Sequence, residues 1–227
     1  MRWLCFGSFV VVALAIASAC GGGDKPAPAL TDADLKNIVT VTSEGLSLQL
    51  TLQSDSATTN AQAAGTFADP QKWTANYEKW GRTGGHEATY SVAGGQEAAV
   101  QTQAEVYKTT GGVTDALAAL RDVMTSGEAL TTYANMGYTD ARIDVVDAPK
   151  VGDDSSSYRI QVIYEGNRFD TQVIIFRRGP VLGQASIGAP ADSAFADVVA
   201  VAGQMDAKIQ GLLSGQPSTP QATPTAN

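Results

Sequence analysis

The spacing of apolar residues predicts four helices. The clearest one begins after Asp69 and ends at Gly81, because Trp73, Tyr77 and Trp80 recur at intervals of four and three residues and so share one helical face. Asp69 suits the N-cap position and Gly81 suits a left-handed exit. Three further helices are predicted at about 114–124, 128–135 and 192–212.

Strands are predicted where apolar and polar residues alternate. Within 95–108, Val100 and its alternate neighbours point one way while Gln101, Gln103 and Glu105 point the other, which is typical of a sheet with one face in water. The other predicted strands lie at 46–52, 86–92, 141–146, 158–164, 169–176 and 181–187. Short turns between neighbours favour antiparallel pairing. The sequence therefore predicts an α+β fold with an antiparallel sheet of five to seven strands and helices packed on its apolar face.

The first twenty residues carry a separate signal. Arg2 precedes an apolar run at 3–17, and small residues then lead to Cys20. The run is shorter than the roughly 20 residues that a membrane-spanning helix needs. This segment resembles the bacterial lipoprotein signal, in which the cysteine is acylated and becomes the first residue of the mature chain. That family usually has leucine three residues before the cysteine, where this chain has Ala17.

Two alternatives for Cys20 stay open beside acylation. In an ordinary secreted protein, cleavage would remove Cys5 and leave one free thiol, which is unusual outside the cell. A disulfide between Cys5 and Cys20 would require an uncleaved signal. Acylation explains the single cysteine best, and more than one acyl chain gives durable anchoring. The predicted location is therefore the extracytoplasmic side of the cell membrane, with the lipid anchor as the contact.

Composition divides the rest of the chain into three parts. Residues 20–30 are rich in Gly, Pro and Ala and are predicted to be a flexible tether, while residues 214–227 are predicted to be a disordered tail. Residues 31–213 are long enough to bury one core and are predicted to form a single domain. Residues 1–19 are the predicted signal peptide.

The charge of the chain argues against nucleic acid as a partner. The sequence has 15 basic and 23 acidic residues, a net charge of −8, and removal of Arg2 with the signal leaves 14 against 23, or −9. Nucleic-acid binding depends on Lys and Arg that neutralise phosphates. An acidic surface also opposes adhesion to anionic lipids.

Few residues indicate chemistry. His86 is the only histidine, which excludes a zinc site built on several histidines and leaves a catalytic triad improbable. The Asp153–Ser157 run could bind Ca²⁺, but a solvated loop is the better interpretation. Glycine pairs at 84–85, 94–95 and 111–112 indicate turns. The sequence predicts no catalytic residue, no metal and no cofactor; the alternative is a hydrolase or enzyme accessory that uses acids such as Asp144 and Asp147.

The order of elements resembles a group of bacterial envelope lipoproteins and kinase sensor domains with a PsbP-like α/β/α sandwich. The residues that carry the resemblance are Trp80-Gly81-Arg82, before the strand containing Tyr90, and 173–179, before the final helix. The resemblance covers roughly residues 69–213. It implies a non-catalytic sensory module that binds a ligand or a partner.

The aromatic stripe supplies the predicted binding residues. Trp80 or Trp73 is expected to border the main pocket, with Arg82 at its rim as the nearby cation and 81–85 as a mobile turn. The ligand would be a small apolar molecule, and an envelope protein is the other partner considered. The alternative is that the stripe fills the core, since aromatic residues at this spacing usually do.

Overall fold

The computed structural model describes residues 29–93, 99–190 and 195–215, which form one antiparallel sheet with helices on both faces. Cys20 and the predictions that depend on it lie outside these residues. The described residues contain seven strands and six helices, so the predicted α+β class with an antiparallel sheet of five to seven strands is confirmed. The helices are α1 Asp32–Val39, α2 Asn60–Ala64, α3 Pro70–Trp80, α4 Thr110–Ser126, α5 Glu128–Asn135 and α6 Phe195–Leu213.

The strands follow the order β1-β2-β3-β7-β6-β5-β4 across the sheet, and every neighbouring pair is antiparallel. Two meanders, β1 to β3 and β4 to β7, meet where β3 pairs with β7. The connection between the meanders contains α4 and α5, which cross one face of the sheet. The strands are β1 Leu50–Thr58, β2 Arg82–Val92, β3 Ala99–Tyr107, β4 Thr139–Val145, β5 Asp154–Tyr164, β6 Asn167–Arg178 and β7 Val181–Pro190.

The two faces of the sheet are covered differently. On the packed face, α1 and α6 lie on a continuous apolar core that includes Val100, Ala104, Ile187, Met205 and Ile209. On the cleft face, α2, α3, α4 and α5 cover two smaller apolar clusters. The alternation predicted helices on the apolar face, and the resemblance implied an α/β/α sandwich; the structure places helices on both faces. No helix among the described residues is both long and apolar enough to cross a bilayer.

Local capping explains where the helices begin. Asp69 accepts a hydrogen bond from Lys72 N at 3.0 Å, and Gly81 closes α3 with a φ of 75°, as predicted. Helices α1 and α2 were not predicted, although Thr31 and Thr59 each form a capping box with the residue three positions on. Short helices show too few apolar repeats to be recognised by period.

Helix α4 begins earlier than its apolar period suggested, because Thr109 rather than Thr114 is its cap. The Thr109 hydroxyl accepts a hydrogen bond from Gly112 N at 3.1 Å. A Cβ on Gly112 would lie 2.0 Å from the Trp80 carbonyl oxygen, so this glycine allows α4 to start directly against the end of α3. The pair at 111–112, predicted to be a turn, is therefore the first turn of a helix.

Candidate functional site

A cleft of about 660 Å³ lies between the cleft face of the sheet and helices α2 to α5. Its floor extends from β1 across β2, β3 and β7 to β6 and β5, and its walls come from the four helices. Ligand sites in proteins have volumes of about 300–1,000 Å³. The cleft is therefore large enough for a small organic molecule.

One row of polar side chains crosses the floor. Ser56, Glu87, Gln103 and Gln184 occupy directly paired positions on β1, β2, β3 and β7. The next position in the row, on β6, is Ile175. Neighbouring strands lie about 4.8 Å apart, so the polar part of the row spans about 14 Å. The change from polar to apolar therefore occurs between β7 and β6.

A second row repeats this arrangement. Thr89, Gln101 and Ser186 are paired across β2, β3 and β7, and Val173 follows on β6. Cross-strand neighbours on one face are close enough to act together. These rows were not predicted as the floor of a cleft. Of the three residues predicted to face water, Gln101 is exposed and Gln103 is half-buried, and both line the cleft, whereas Glu105 is buried. The alternation identified the polar face, but it did not show that helices border this face or that Glu105 is buried.

The remainder of the cleft is apolar and partly aromatic. Its walls, formed by the helices and the segments that adjoin them, carry Phe67, Tyr77, Leu120, Val123, Met124, Tyr133 and Met136, and its far floor carries Ile160, Val173, Ile175 and Leu182. The polar and apolar linings are thus segregated along the sheet. Such a lining fits a molecule that has a polar end and an apolar body.

A buried ion pair closes the end of the floor. The Glu105 carboxylate is 3% exposed, and its Oε1 lies 3.1 Å from Arg82 Nε. The angle at Nε does not give a hydrogen bond, so the contact is purely an ion pair. The Tyr107 hydroxyl donates to Glu105 Oε2 at 2.7 Å, and Gln103 Nε2 donates to Oε1 at 3.1 Å. Both carboxylate oxygens of Glu105 are therefore in contact with protein side chains.

The other guanidinium nitrogens of Arg82 are held at the end of β1. Arg82 Nη1 donates to Asn60 Oδ1 at 2.9 Å, and Nη2 donates to Thr58 Oγ1 at 2.8 Å. A Cβ on Gly85 would lie 2.4 Å from Nη2, so this glycine makes room for the guanidinium over the strand. Residues 82–85 were predicted to be part of a mobile turn, but β2 begins at Arg82.

Two phenols beside this pair stay protonated. Burial raises the pKa of Tyr77, and the charge of Glu105 raises it further. Burial is also the main cause that raises the pKa of Tyr107, with Glu105 adding to it. The Arg82 guanidinium lies over the Tyr77 ring, 5.1 Å from its centroid. Tyr77 therefore offers the cleft a neutral phenol.

The aromatic stripe reaches the cleft through its middle member. Tyr77 lines the cleft, whereas Trp73 is 1% exposed, stacks on Phe67 and donates its indole N–H to Glu128 at 3.1 Å. The half-buried Trp80 packs edge-on against Trp73 with ring centroids 5.8 Å apart.

Arg82 lies behind Glu105 rather than exposed at a rim. Burial and ion pairing there separate it from the cleft. Ligand contacts by Trp73, Trp80 and Arg82 stay predictions, and this geometry makes any such influence indirect.

His86 has a bridging position on the packed face. Its ring nitrogens lie 3.1 Å from Asp32 Oδ1 and 3.1 Å from Asp55 Oδ1. Lys36 Nζ lies 2.8 Å from the same Asp55 oxygen, and hydrogen bonds from Lys36 and then His86 lower the pKa of Asp55. His86 therefore connects α1 to β1 and β2.

The acids considered for hydrolysis do not face each other across the cleft. Asp144 accepts from Arg142 Nε at 2.9 Å, and Asp147 lines a separate surface depression of about 590 Å³. Neither borders the cleft.

The two acids of the Asp153–Ser157 run form ion pairs with arginines. Asp153 pairs with Arg177 and Arg178, and Asp154 receives two hydrogen bonds from Arg121. Ser155 to Ser157 belong to β5 rather than to a solvated loop. The residues described contain no group of three His, Cys, Asp or Glu side chains that could hold a metal ion.

Comparisons with known proteins give a limited result. No protein-family model matches the chain, and no curated protein matches it. Among solved structures, the extracellular domain of PknH from Mycobacterium tuberculosis is similar with a TM-score of 0.46 and 15% identity, over 86% of this chain and 100% of that one. An uncharacterized protein from Mycobacterium smegmatis, the Rv0999 ortholog, is similar with a TM-score of 0.38 and 9% identity, over 78% of this chain and 93% of that one.

Proposed function

We propose that this protein is an extracytoplasmic lipoprotein, anchored to the cell membrane through Cys20, whose domain binds a small organic ligand without chemical conversion. The observation that carries the binding proposal is the cleft with its segregated lining. The polar floor residues Glu87, Gln103 and Gln184 are exposed or half-buried and line an open cleft instead of a packed core. A ligand with a polar part and an apolar part would contact both linings in place of solvent.

The position of Glu105 supports binding rather than catalysis. A general acid or base must exchange a proton with the reacting molecule. Glu105 already accepts from Gln103 and Tyr107 and lies against Arg82. These contacts hold it as a structural element at the end of the floor.

Native mass spectrometry of protein extracted from membranes tests the binding. We expect an added mass on the wild type that is lost in Gln184→Trp, because Gln184 lies in the middle of the floor and an indole there would fill the cleft. Thr139→Trp, an exposed change on β4, serves as the matched control and should retain the added mass. Retention by Gln184→Trp would show that the molecule binds elsewhere and would refute the cleft.

The anchor has its own test in detergent phase partitioning. Cys20→Ala should move the protein from the detergent phase to the aqueous phase, because the acyl chains would be absent. Cys5→Ala should leave the wild-type partitioning unchanged, since Cys5 is predicted to leave with the signal. A Cys20→Ala protein that stays in the detergent phase would refute the anchor and leave the proposal for the cleft untouched.

A further inference from the structure

We infer that the cleft selects an amphiphile whose polar head is a cationic hydrogen-bond donor, such as a primary ammonium group, and whose apolar body lies against the far floor. This inference rests on the proposed function, since it specifies the ligand of the same cleft. Its basis is the charge and the donor–acceptor pattern of the lining.

The charge of the lining is negative. Among the described residues, Glu87 and Glu105 line the cleft, and no Lys, Arg or His does. The charge of Glu105 is balanced by Arg82, which lies behind it at 3.1 Å. Glu87 has a single hydrogen-bond partner in the described chain, the Ser56 hydroxyl at 3.3 Å, and no ion pair. Glu87 therefore carries the unbalanced charge of the site.

The neighbouring glutamine is oriented as an acceptor. Gln103 donates its side-chain N–H to Glu105, which directs the amide nitrogen toward the buried pair and leaves the carbonyl oxygen free to accept. Glu87 and Gln103 are directly paired across β2 and β3, so their side chains are neighbours on the floor. A carboxylate beside a carbonyl oxygen matches a head group that only donates, and an ammonium group has three donors and no acceptor.

The apolar body has a defined direction. From Glu87 the row continues through Gln103 and Gln184 and becomes apolar at Ile175. Leu120 and Met124 of α4 face this apolar end from above. A head group at Glu87 therefore places the rest of the molecule along β7 and β6, under α4.

Three probes with one eight-carbon chain test the charge preference: octylamine, octanol and octanoate. Isothermal titration calorimetry would use the full chain carrying Cys20→Ala, the form expected to leave the membrane. We expect octylamine to bind most tightly, by about two- to five-fold over octanol, the range for an exposed ion pair. Octanoate should bind most weakly. The preference for octylamine should shrink at high salt, because Glu87 is exposed.

Variants of Glu87 separate this inference from the proposed function. Glu87→Gln should equalise octylamine and octanol, and Glu87→Lys should favour octanoate. The exposed Glu78 on α3 does not line the cleft, so Glu78→Gln is the matched control and should keep the wild-type order. Octanoate that binds as tightly as octylamine, or a preference that survives Glu87→Gln, would overturn the inference while cleft binding stands. Octanol binding that persists in Gln184→Trp would instead overturn the cleft itself.

Discussion

The packed face and the cleft face lie on opposite sides of the same strands, yet they are built on different principles. From β2, β3 and β7, the packed face receives apolar residues such as Ala88, Ala104 and Ile187, which α1 and α6 cover directly. The cleft face receives Gln103 and Gln184 from the same strands, and its helices enclose about 660 Å³ above them. A sheet face that is covered by helices is therefore not always a packed core.

The difference follows from desolvation. Apolar side chains gain free energy when a helix removes them from water, at about 25 cal/mol per Å². A carboxamide or carboxylate loses hydrogen bonds to water under the same helix and destabilises the fold by about 1–3 kcal/mol if no partner replaces them. Helix α4 packs on β6 and also on β3 and β7, where Tyr107 and Leu182 belong to its apolar cluster, and α5 packs on β4. The open volume therefore follows from the polar side chains that β1, β2, β3 and β7 place on this face.

The largest expected effect comes from the buried ion pair of the cleft face. Arg82→Leu leaves the Glu105 carboxylate without its cation in a site where the two side chains are 0% and 4% exposed. Removal of one partner from a buried pair destabilises a protein by about 3–5 kcal/mol, measured here as the free energy of urea unfolding.

Two further variants check that interpretation. Replacing both Arg82 and Glu105 with leucine should recover part of the loss, because no unpaired charge remains. Arg142→Leu should cost at most about 1 kcal/mol, since Arg142 and Asp144 are 70% and 37% exposed. A double variant that loses as much stability as the sum of the single ones would contradict the pairing.

A matched pair of methionines compares the two faces directly. Met205 is fully buried on the packed face, so Met205→Ala should reduce the free energy of unfolding by about 2–5 kcal/mol, through lost burial and a new cavity. Met124 is half-buried and borders the cleft. Met124→Ala should cost less than half as much, because it only enlarges a space that already exists. Equal losses in urea unfolding would mean that the cleft closes in solution.

The sequence predicted the packed face better than the cleft face. Strict alternation in β3 and the apolar period of α6 are one-dimensional signals, and both identify residues that the structure buries in the packed core. The polar partners of the same alternation were assigned to water, which fits the exposed Gln101 but not the buried Glu105, because alternation reports the side of the sheet and not what covers it. Helices α2 to α5 provide that cover, and they come from parts of the chain that the alternation of β3 does not describe.

The Arg82 environment was unpredictable for a related reason. Its ion pair with Glu105 joins residues 23 positions apart and depends on Gly85, whose missing Cβ makes room for the guanidinium. In the sequence, Gly84 and Gly85 looked like a turn because glycine pairs usually are. No local sequence pattern marks a position where a side chain from elsewhere lies close to the backbone.

Two adjacent glycines at the start of α4 test how firmly this helix is held against the end of α3. Gly112→Ala places a Cβ 2.0 Å from the Trp80 carbonyl oxygen, so α4 must shift away from α3. We expect a loss of about 1–3 kcal/mol in urea unfolding, the usual cost of overpacking. Gly111→Ala is the control: its Cβ would lie 3.8 Å from Thr109 Oγ1, an ordinary contact. That change should stabilise the helix by up to about 1 kcal/mol. Equal changes in the free energy of unfolding for the two variants would indicate that α4 is held loosely against α3.

The smallest expected effect concerns Glu128, which connects α5 to α3. The Trp73 indole and Lys72 both donate to Glu128, and these hydrogen bonds, that from Trp73 first, lower the pKa of Glu128. A carboxyl whose folded pKa is lowered stabilises the fold above its unfolded pKa of about 4.3, and this stabilisation is lost as pH falls through the folded pKa. We expect the free energy of unfolding of the wild type to exceed that of Glu128→Gln by about 0.2–1 kcal/mol at pH 7, measured by urea unfolding. The difference should shrink as pH falls below the unfolded pKa of about 4.3. Lys72→Met should remove only part of it, since the Trp73 bond stays. A difference between wild type and Glu128→Gln that does not change with pH would show that packing of the side chain, not its charge, joins α3 to α5.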